Sequence, residues 1–439
     1  MSLATPPKVR KLQETLHAKA KSAPNYRFYL LYDKMYGSNV LAHAYACCRA
    51  NGGACGVDGV DFDGIEACGV ERWLGELTED LRKKTYRPQP VRRVYIPKPN
   101  GQRRPLGIPT VRDRVVQMAM VLVLGPIFEN DLLPEQYAYR PNRSARDAVI
   151  RVVRLLEFGY REVVDADLSG YFDSIPHAEL MKSVTRRISD RHVLRLIKMW
   201  LQLPVEETDQ RGRRRRTCRN RDEGRGTPQG APISPLLANL YMRRFLLGWR
   251  QLGFEKRLKA YVVNYADDFV ICCRGTAEAA ATVMRDMMQK LKLTVNESKT
   301  SVRRVPNETF NFLGYTFGRC YSPRTGNAYI GAYPSRNALR RVRRTIHEMT
   351  ERRRSRLSIE DMVPPLNRLL VGWANYYSLG LGPIDRSYRA IDAHMRRRFR
   401  QWLRRKYLLQ GSGASRWPDK YLYGELGLVQ LQGRPLRYS

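Results

Sequence analysis

The chain of 439 residues is long enough for two or three domains, and its hydrophobic content of 43% excludes a disordered protein. Its 78 basic residues against 42 acidic residues give a net charge of +36, which favours a polyanionic partner held through its phosphates. An anionic membrane is the alternative, but the sequence has no apolar run of about eighteen residues and no signal-peptide core, so we expect a cytoplasmic protein that does not bind a membrane. The eight cysteines lack Cys-x-x-Cys spacing, which predicts free thiols rather than a zinc site.

The first part of the chain predicts helices followed by a basic hairpin. Residues 1–24 predict a polar tail or a first helix, and residues 26–50 predict further helices. The Gly-rich stretch from Asn51 to Gly59 favours a turn, because it lacks the Lys-Ser/Thr ending of a phosphate-binding loop. Within residues 91–109, two β-prone runs flank Pro99-Asn-Gly101 and predict a hairpin, which an apolar helix follows.

A predicted strand over Val163-Val-Asp-Ala-Asp167 ends on an acidic residue, and Gly170 and two aromatic residues follow it. Asp165 and Asp173 are competing carboxylates near Asp167. Because alternate residues of a strand share a face, Asp165 would lie on the same side as Asp167. The spacing therefore leaves the choice of carboxylate open.

Two later stretches add to this predicted site. Residues 226–239 form a loop with Gly and Pro that leads into a helix beginning at Pro235. Residues 261–273 predict a hairpin whose tip carries Asp267 and Asp268. A solvated turn is the alternative for an isolated Asp-Asp pair. Adjacent carboxylates repel each other unless a cation neutralises them, however, and carboxylates from two strand ends could hold two divalent ions such as Mg²⁺ for a phosphoryl transfer.

These segments resemble, in order and spacing, the palm motifs of reverse transcriptases that group II introns encode, and the resemblance runs from about Leu31 to near the C-terminus. The matching segments are Asp167-Leu-Ser-Gly-Tyr-Phe172, Thr227-Pro-Gln-Gly230, Ser234-Pro-Leu-Leu-Ala-Asn239 and Tyr265-Ala-Asp-Asp268. Two positions depart from the family pattern. Ala231 stands where a second glycine is usual, and Asn264 stands where a basic residue is common, which affects fine positioning rather than the carboxylates.

The resemblance implies roles for individual residues. Asp167, Asp267 and Asp268 are the implied catalytic ligands of two Mg²⁺ ions, or of Mn²⁺ in their place. The implied substrate-binding residues are Lys98 and Arg104 at the incoming triphosphate, Phe172 as a steric gate against a ribose 2′-hydroxyl, Gln229 at the nascent pair or template, and Lys299 as proton donor to pyrophosphate. For each basic residue in this set, a solvated surface role is the alternative.

The rest of the chain is basic and resembles the thumb of the same family. Residues 310–317 are similar to a primer-grip hairpin, and Gly372-Trp-Ala-Asn-Tyr-Tyr377 is similar to the thumb or maturase motif. Basic side chains interleaved with Trp and Tyr suit RNA. The candidate nucleic-acid-binding residues are Arg140, Arg143, Arg340, Arg344, Arg396, Arg397 and Arg398. Generic surface charge is the alternative for Arg140 and Arg143. No Cys pair and His cluster follows Trp417, so we expect the form without a C-terminal HNH endonuclease domain.

The expected fold is α+β, a right-hand polymerase with a ferredoxin-like palm sheet, helices on one side of that sheet, a helical thumb/maturase domain and a small basic C-terminal domain. The expected boundaries are 1–90 for the N-terminal extension and start of the fingers, 91–330 for fingers and palm, 331–390 for the thumb/maturase domain and 391–439 for the C-terminal segment. The expected function is RNA-directed DNA polymerase and maturase, with group II intron RNA, a DNA primer or target, and dNTPs as partners. The alternatives are an RNA-binding splicing factor with a vestigial polymerase site and a defence-associated reverse transcriptase without an intron partner.

Overall fold

The computed structural model describes residues 3–97, 103–209, 211–411 and 413–435, with the side chain of Arg104 also outside the description. Its α-helices are α1 Pro7–Ser22, α2 Tyr32–Met35, α3 Ser38–Asn51, α4 Phe62–Cys68, α5 Val70–Arg82, α6 Val111–Glu129, α7 Ala145–Glu157, α8 Tyr171–Ser174, α9 His177–Thr185, α10 Arg191–Leu201, α11 Arg219–Glu223, α12 Ser234–Gln251, α13 Phe254–Arg257, α14 Ala277–Lys290, α15 Arg336–Met349, α16 Ile359–Tyr377 and α17 Asp385–Lys406. Its strands are β1 Val91–Pro97, β2 Arg103–Ile108, β3 Glu162–Asp167, β4 Val205–Thr208, β5 Arg214–Thr217, β6 Ala260–Tyr265, β7 Asp268–Cys273, β8 Ser301–Arg304, β9 Phe310–Phe312, β10 Tyr315–Tyr321 and β11 Ala328–Pro334.

Several helices begin at capping residues that the sequence supplies. Thr110 Oγ1 accepts the backbone N–H of Asp113 at 3.1 Å at the start of α6. Ser144 and Asp147 form a reciprocal capping box at the start of α7. Pro235 occupies the first turn of α12, where its missing N–H costs no helical hydrogen bond, and the predicted helix start is confirmed.

The palm sheet has the strand order β6-β7-β3-β8, and each neighbouring pair is antiparallel. Helices α8 to α13, with the strands β4 and β5 of another sheet inserted among them, separate β3 from β6. Strands β6 and β7 form a hairpin, and α14 separates β7 from β8. This β-α-β-β-α-β order with these pairings is the ferredoxin-like topology. The predicted palm sheet and the predicted hairpin are therefore confirmed.

Both faces of the palm sheet are buried. Phe269 and Ile271 pack into one hydrophobic core together with residues of α12 and α14. Val263 and Val270 pack into a second core together with residues of α7 and of α15 to α17. The expectation of helices on one side of the sheet is therefore wrong, because these strands are apolar at both alternations and require cover on both faces.

The fingers and the thumb are attached to opposite sides of this sheet. Strands β1 and β2 form the predicted basic hairpin, and β1 also pairs in parallel with β4. In the thumb, α15, α16 and α17 share the second core with the three-stranded sheet β11-β10-β9. The boundary expected after residue 330 falls inside β11, and that expected after residue 390 falls inside α17. One continuous helix thus joins the thumb to the C-terminal segment.

The structure also bears on two expectations from composition, which concern membrane-spanning helices and the state of the cysteines. None of the helices in the described ranges is long and apolar enough to cross a membrane. All eight cysteines are free thiols, as their spacing predicts. Burial raises the pKa of the Cys48 thiol to about 12, so this side chain is protonated near neutral pH.

Candidate active site

The carboxylates predicted from two strand ends lie side by side. Asp167 is the last residue of β3, Asp268 is the first residue of β7, and the two are direct partners in the antiparallel register. Asp267 stands in the two-residue turn between β6 and β7, because Tyr265 and Asp268 are the last pair of that hairpin. The predicted strand end and the predicted hairpin tip therefore meet at one edge of the palm sheet.

The shape of this turn depends on Asn264. Ala266 has a left-handed backbone with a φ of 60°, and the buried amide Nδ2 of Asn264 donates to its carbonyl at 2.8 Å. The backbone of Asn264 also pairs with the residues Glu135 and Tyr137. Because Asn264 is only 1% exposed, a basic side chain here would bury a charge in this arrangement. The departure from the family pattern thus has a local structural role.

Burial and crowding disfavour the charged form of these carboxyls. Burial raises the pKa of Asp268 to about 8, with further contributions from the nearby carboxylates of Asp165, Asp267 and Asp167. Burial likewise raises the pKa of Asp165 to about 7, against the opposing effect of Arg303. Bound positive charge is what would restore the ionised state of such a cluster.

The strand register separates the three carboxylates that spacing left open. Asp167 faces Asp268, whereas Asp165 lies one pleat further from the tip, opposite Val270. Asp173 lies on α8, where its Oδ2 accepts the Nε2 of Gln229 at 2.7 Å. The register therefore favours Asp167 as the partner of the Asp-Asp turn.

Two side chains that follow α14 hold the carboxylate of Asp167. Its Oδ2 accepts Lys299 Nζ at 2.9 Å and Asn296 Nδ2 at 3.0 Å. The backbone N–H of Asn296 donates to the carbonyl of Asp167 at 2.8 Å. Sequence reasoning selected Lys299 and missed Asn296, because an asparagine 129 residues from its partner carries no local signal.

In the part of the chain that the structure describes, no three His, Cys, Asp or Glu side chains are grouped so that they could hold a metal ion as they stand. The donor chemistry nevertheless fits a hard divalent ion, since Asp167, Asp267 and Asp268 offer carboxylate oxygens and their mutual repulsion calls for positive charge. The ammonium of Lys299 already supplies one such charge to Asp167. These three aspartates are the residues that could hold the ions after a small rearrangement.

A cavity of about 430 Å³ opens beside the predicted gate residue. Phe172 and Gln229 both line it, together with the Gly-rich stretch at 52–54 and the strand β2 at Gly107. Phe172 is 7% exposed, and its carbonyl accepts the N–H of Thr227 at 2.7 Å. The fold therefore brings two predicted substrate-binding residues to one concave surface.

Glycine is required where the fingers meet the loop of Gln229. The N–H of Gly107 donates to the carbonyl of Gln229 at 2.6 Å. Gly230 has a φ of 104°, and a Cβ there would lie 2.6 Å from the carbonyl oxygen of Gly107. Ala231, the second departure from the family pattern, is 3% exposed, so the core accommodates its methyl group.

Two predicted triphosphate contacts stay predictions. Lys98 lies outside the described residues. Arg104 is described through its backbone, which pairs with Ile96 in the β1–β2 hairpin.

Arg140 is buried within the protein, contrary to the prediction that it meets template phosphates. Its side chain is 6% exposed and pairs with Glu129 at 2.6 Å. It also donates to the carbonyls of Leu133 at 2.7 Å and Gln136 at 2.9 Å. The prediction is wrong, because these partners use the guanidinium donors that a phosphate would need.

Arg143 lies nearer the surface, where it donates to the carbonyl of Pro134 at 2.8 Å. Its contact with template phosphates stays a prediction.

The three consecutive arginines of α17 have different surroundings. Arg398 is 8% exposed and donates to Thr350 Oγ1 at 3.1 Å and to the Thr350 carbonyl at 3.2 Å, so its assignment to nucleic acid is wrong. Arg396 is 26% exposed and lies 3.5 Å from Asp419. Arg397 is exposed. Three consecutive residues of a helix point in three different directions. A run of three arginines in the sequence therefore does not show which of them is buried.

Helix α15 exposes the two arginines that were predicted to bind nucleic acid. Arg340 is exposed, and Arg344 is exposed beside Glu348, with the charged atoms 3.6 Å apart. The apolar stripe of the same helix is buried at Val342 and Ile346. Binding of nucleic acid by the arginines stays a prediction.

The sequence matches the family described as reverse transcriptase (RNA-dependent DNA polymerase) over residues 96–317, which is just over half of the chain. The chain belongs to the reverse transcriptase family. A second match, to the group II intron maturase-specific domain, covers residues 339–421 and therefore the thumb helices and much of the C-terminal segment.

Three relatives illustrate this membership. Protein YkfC of Escherichia coli strain K12 is 36% identical, over 70% of this chain and 87% of YkfC. The group II intron-encoded protein LtrA of Lactococcus lactis is 29% identical, over 66% of this chain and 56% of LtrA. The mitochondrial nuclear intron maturase 2 of Arabidopsis thaliana is 36% identical over 21% of this chain and 13% of its own length. The reverse transcriptase thus spans most of YkfC and about half of LtrA.

These findings confirm the expected polymerase fold and an RNA-directed DNA polymerase of the group II intron maturase type. A reverse transcriptase domain requires a divalent metal ion, and the maturase domain implies binding of intron RNA. The alternatives, a splicing factor with a vestigial site and a defence-associated enzyme, are not favoured.

Proposed function

We propose that this reverse transcriptase copies group II intron RNA into DNA and assists splicing of that intron, with Asp167, Asp267 and Asp268 as ligands of two Mg²⁺ ions. The observation that carries the proposal is the direct pairing of Asp167 with Asp268 at the sheet edge next to Asp267. The raised pKa of Asp268 supports it, since this carboxyl requires a cation to ionise near neutral pH.

The chain's own residues position the reactants. When bound, the divalent ions supply activation of a primer 3′-hydroxyl and neutralisation of the α-phosphate of a dNTP. Phe172 lines the cavity, and its ring acts as the steric gate against a ribose 2′-hydroxyl, so ribonucleotides are excluded. Gln229 is held by Asp173 at the same cavity and contacts the nascent pair or template. Lys299, which stands at Asp167, donates a proton to the departing pyrophosphate.

Assistance in splicing rests on a different surface. Arg340 and Arg344 on α15 and Arg397 on α17 are exposed within the segment that matches the maturase-specific domain. Exposed guanidinium groups on packed helices suit the phosphates of a folded RNA. LtrA is by its name encoded in a group II intron, and we carry that association to this chain as part of the proposal.

Primer extension on an RNA template with dNTPs tests the polymerase assignment. Asp268→Asn keeps the side-chain shape and removes its charge, so we expect extension to slow by ~10²-fold or more. Asp286→Asn, on the exposed face of α14, is the matched control and should extend like the wild type. Wild-type rates from a correctly folded Asp268→Asn variant would contradict the assignment.

A further inference from the structure

The maturase-specific domain holds one turn of the predicted primer-grip hairpin. This turn is Leu313-Gly314, between β9 and β10. The hydroxyl of Tyr376 on α16 donates to the carbonyl of Leu313 at 2.8 Å, and the hydroxyl of Tyr377 donates to the carbonyl of Gly314 at 3.3 Å. Tyr376 therefore holds the carbonyl of Leu313, whereas Tyr377 shares the carbonyl of Gly314 with the backbone N–H of Ser335, which donates to it at 2.9 Å.

The backbone of the turn fits closely against these hydroxyls. Leu313 has a φ of 50°, and Gly314 has a φ of 82°. A Cβ at Gly314 would lie 2.7 Å from the Tyr377 hydroxyl oxygen, so this residue cannot gain a side chain without a shift. Tyr315, the next residue, donates its hydroxyl to the carbonyl of Tyr376 and packs its ring 4.8 Å from that of Tyr377. The contact between hairpin and helix is thus reciprocal.

The contact between the turn and α16 shares a hydrophobic core with the β6–β7 hairpin that carries Asp267 and Asp268. Tyr265, Leu313 and Tyr376 all pack against the second core, which contains Val263 and Val270 of β6 and β7. Tyr265 is the residue two positions before Asp267. A displacement of α16 would therefore reach both the turn and the base of the Asp-Asp hairpin.

We propose that Tyr376 and Tyr377 of the maturase-specific domain are positioning residues for DNA synthesis. Their hydroxyls fix the turn Leu313-Gly314, and through it the binding of the primer–template duplex. This inference rests on the proposed polymerase function and on the primer-grip assignment of the hairpin. It predicts that the domain named for splicing also sets the affinity for primer and template.

The experiment compares Tyr376→Phe/Tyr377→Phe with Tyr388→Phe. The double variant removes two hydroxyls and keeps both rings. Tyr388 lies in the same domain, is 1% exposed, and its hydroxyl has no hydrogen-bond partner among the described residues, so Tyr388→Phe is the matched control. We expect the KM for primer–template to rise about tenfold in the double variant, while kcat and the KM for dNTP change less than about twofold.

Gly314→Ala is an independent variant that keeps both hydroxyls but places a Cβ 2.7 Å from the Tyr377 hydroxyl oxygen, so it should displace the turn and raise the same KM. An unchanged KM for primer–template in the folded double variant would overturn the proposal, as would an equal rise in Tyr388→Phe. A fall in kcat without a change in this KM would also overturn it. If the wild type fails to extend a primer at all, the proposed function fails instead, so the two failures are distinguishable.

Discussion

The carboxyl of Asp268 holds a proton near neutral pH in the metal-free protein, because burial and its acidic neighbours raise its pKa to about 8. Asp165 behaves similarly with a pKa of about 7, whereas both residues would ionise near pH 4 in the unfolded chain. The folded state therefore binds more protons than the unfolded state between about pH 4 and about pH 8. Stability of the metal-free protein should fall as pH rises through that window.

The predicted fall in stability with rising pH can be tested with Asp268→Asn in the presence of a chelator. The amide cannot ionise, so the variant should have a Tm about 2 °C or more above that of the wild type at pH 8. At pH 5 the gap should be smaller, because the wild-type carboxyl is protonated there. Asp286→Asn is the control and should show no pH-dependent gap in thermal unfolding. A gap of the same size at both pH values would refute the electrostatic account.

Phe172 makes a second prediction at the residue scale. Its ring lines the cavity that also contains Gln229. Phe172→Val shortens that wall, so ribonucleotides should be incorporated more readily while use of dNTPs is largely retained. Primer extension with each nucleotide set measures the ratio of the two kcat/KM values. If the variant and the wild type discriminate equally between dNTPs and ribonucleotides, Phe172 is not the steric gate.

Single residues also show where sequence reasoning stopped. The strand ends at Asp167 and Asp268 were predictable, because apolar runs that end in carboxylates have a local pattern. Asn296 was not, since it joins Asp167 from 129 residues away. The fixing of the turn by Asn264 was also missed, because the contact depends on a left-handed residue at position 266.

At the scale of elements, helix α17 separates structural from exposed arginines. Arg398 caps the C-terminal end of α15 through the carbonyls of His347 and Thr350. Arg396 pairs with Asp419 on the segment that folds back over the helix. Because a run of arginines in the sequence does not reveal which of them faces α15, the sequence could not tell these arginines from Arg397.

We therefore expect Arg397→Ala and Arg398→Ala to differ. Arg398→Ala removes the guanidinium donors to the carbonyl and the hydroxyl oxygen of the buried Thr350 and should lower the free energy of unfolding by ~2–3 kcal/mol. Arg397→Ala should leave stability within about 0.5 kcal/mol of the wild type and weaken RNA binding instead. Chemical denaturation and RNA titration on both variants test this pair. Equal stability of the two variants would show that the cap on α15 is unimportant.

On the scale of the whole molecule, the palm sheet is shared by two cores, one toward the fingers and one toward the thumb. The division of the chain into domains stays a prediction from the pattern of elements in each part. The sequence did not predict that β11 and α17 cross the expected boundaries, since chain continuity across a boundary depends on tertiary packing.

The net charge of +36 makes a prediction for the whole molecule. Binding to RNA should release counterions, so affinity should fall by ~10³-fold or more between about 50 mM and about 200 mM salt. Filter binding or fluorescence anisotropy with an intron RNA across this range measures the slope. An affinity that is independent of salt would mean that phosphate contacts contribute little.

The most direct test of the central claim is the binding of Mn²⁺ to the reverse transcriptase in complex with primer–template and a non-reactive nucleotide, followed by electron paramagnetic resonance. We expect two bound ions per wild-type chain and per Asp286→Asn control, and loss of at least one ion in Asp268→Asn and in Asp167→Asn. Unchanged stoichiometry and affinity in both folded carboxylate variants would contradict the assignment of the metal site to the edge of the palm sheet.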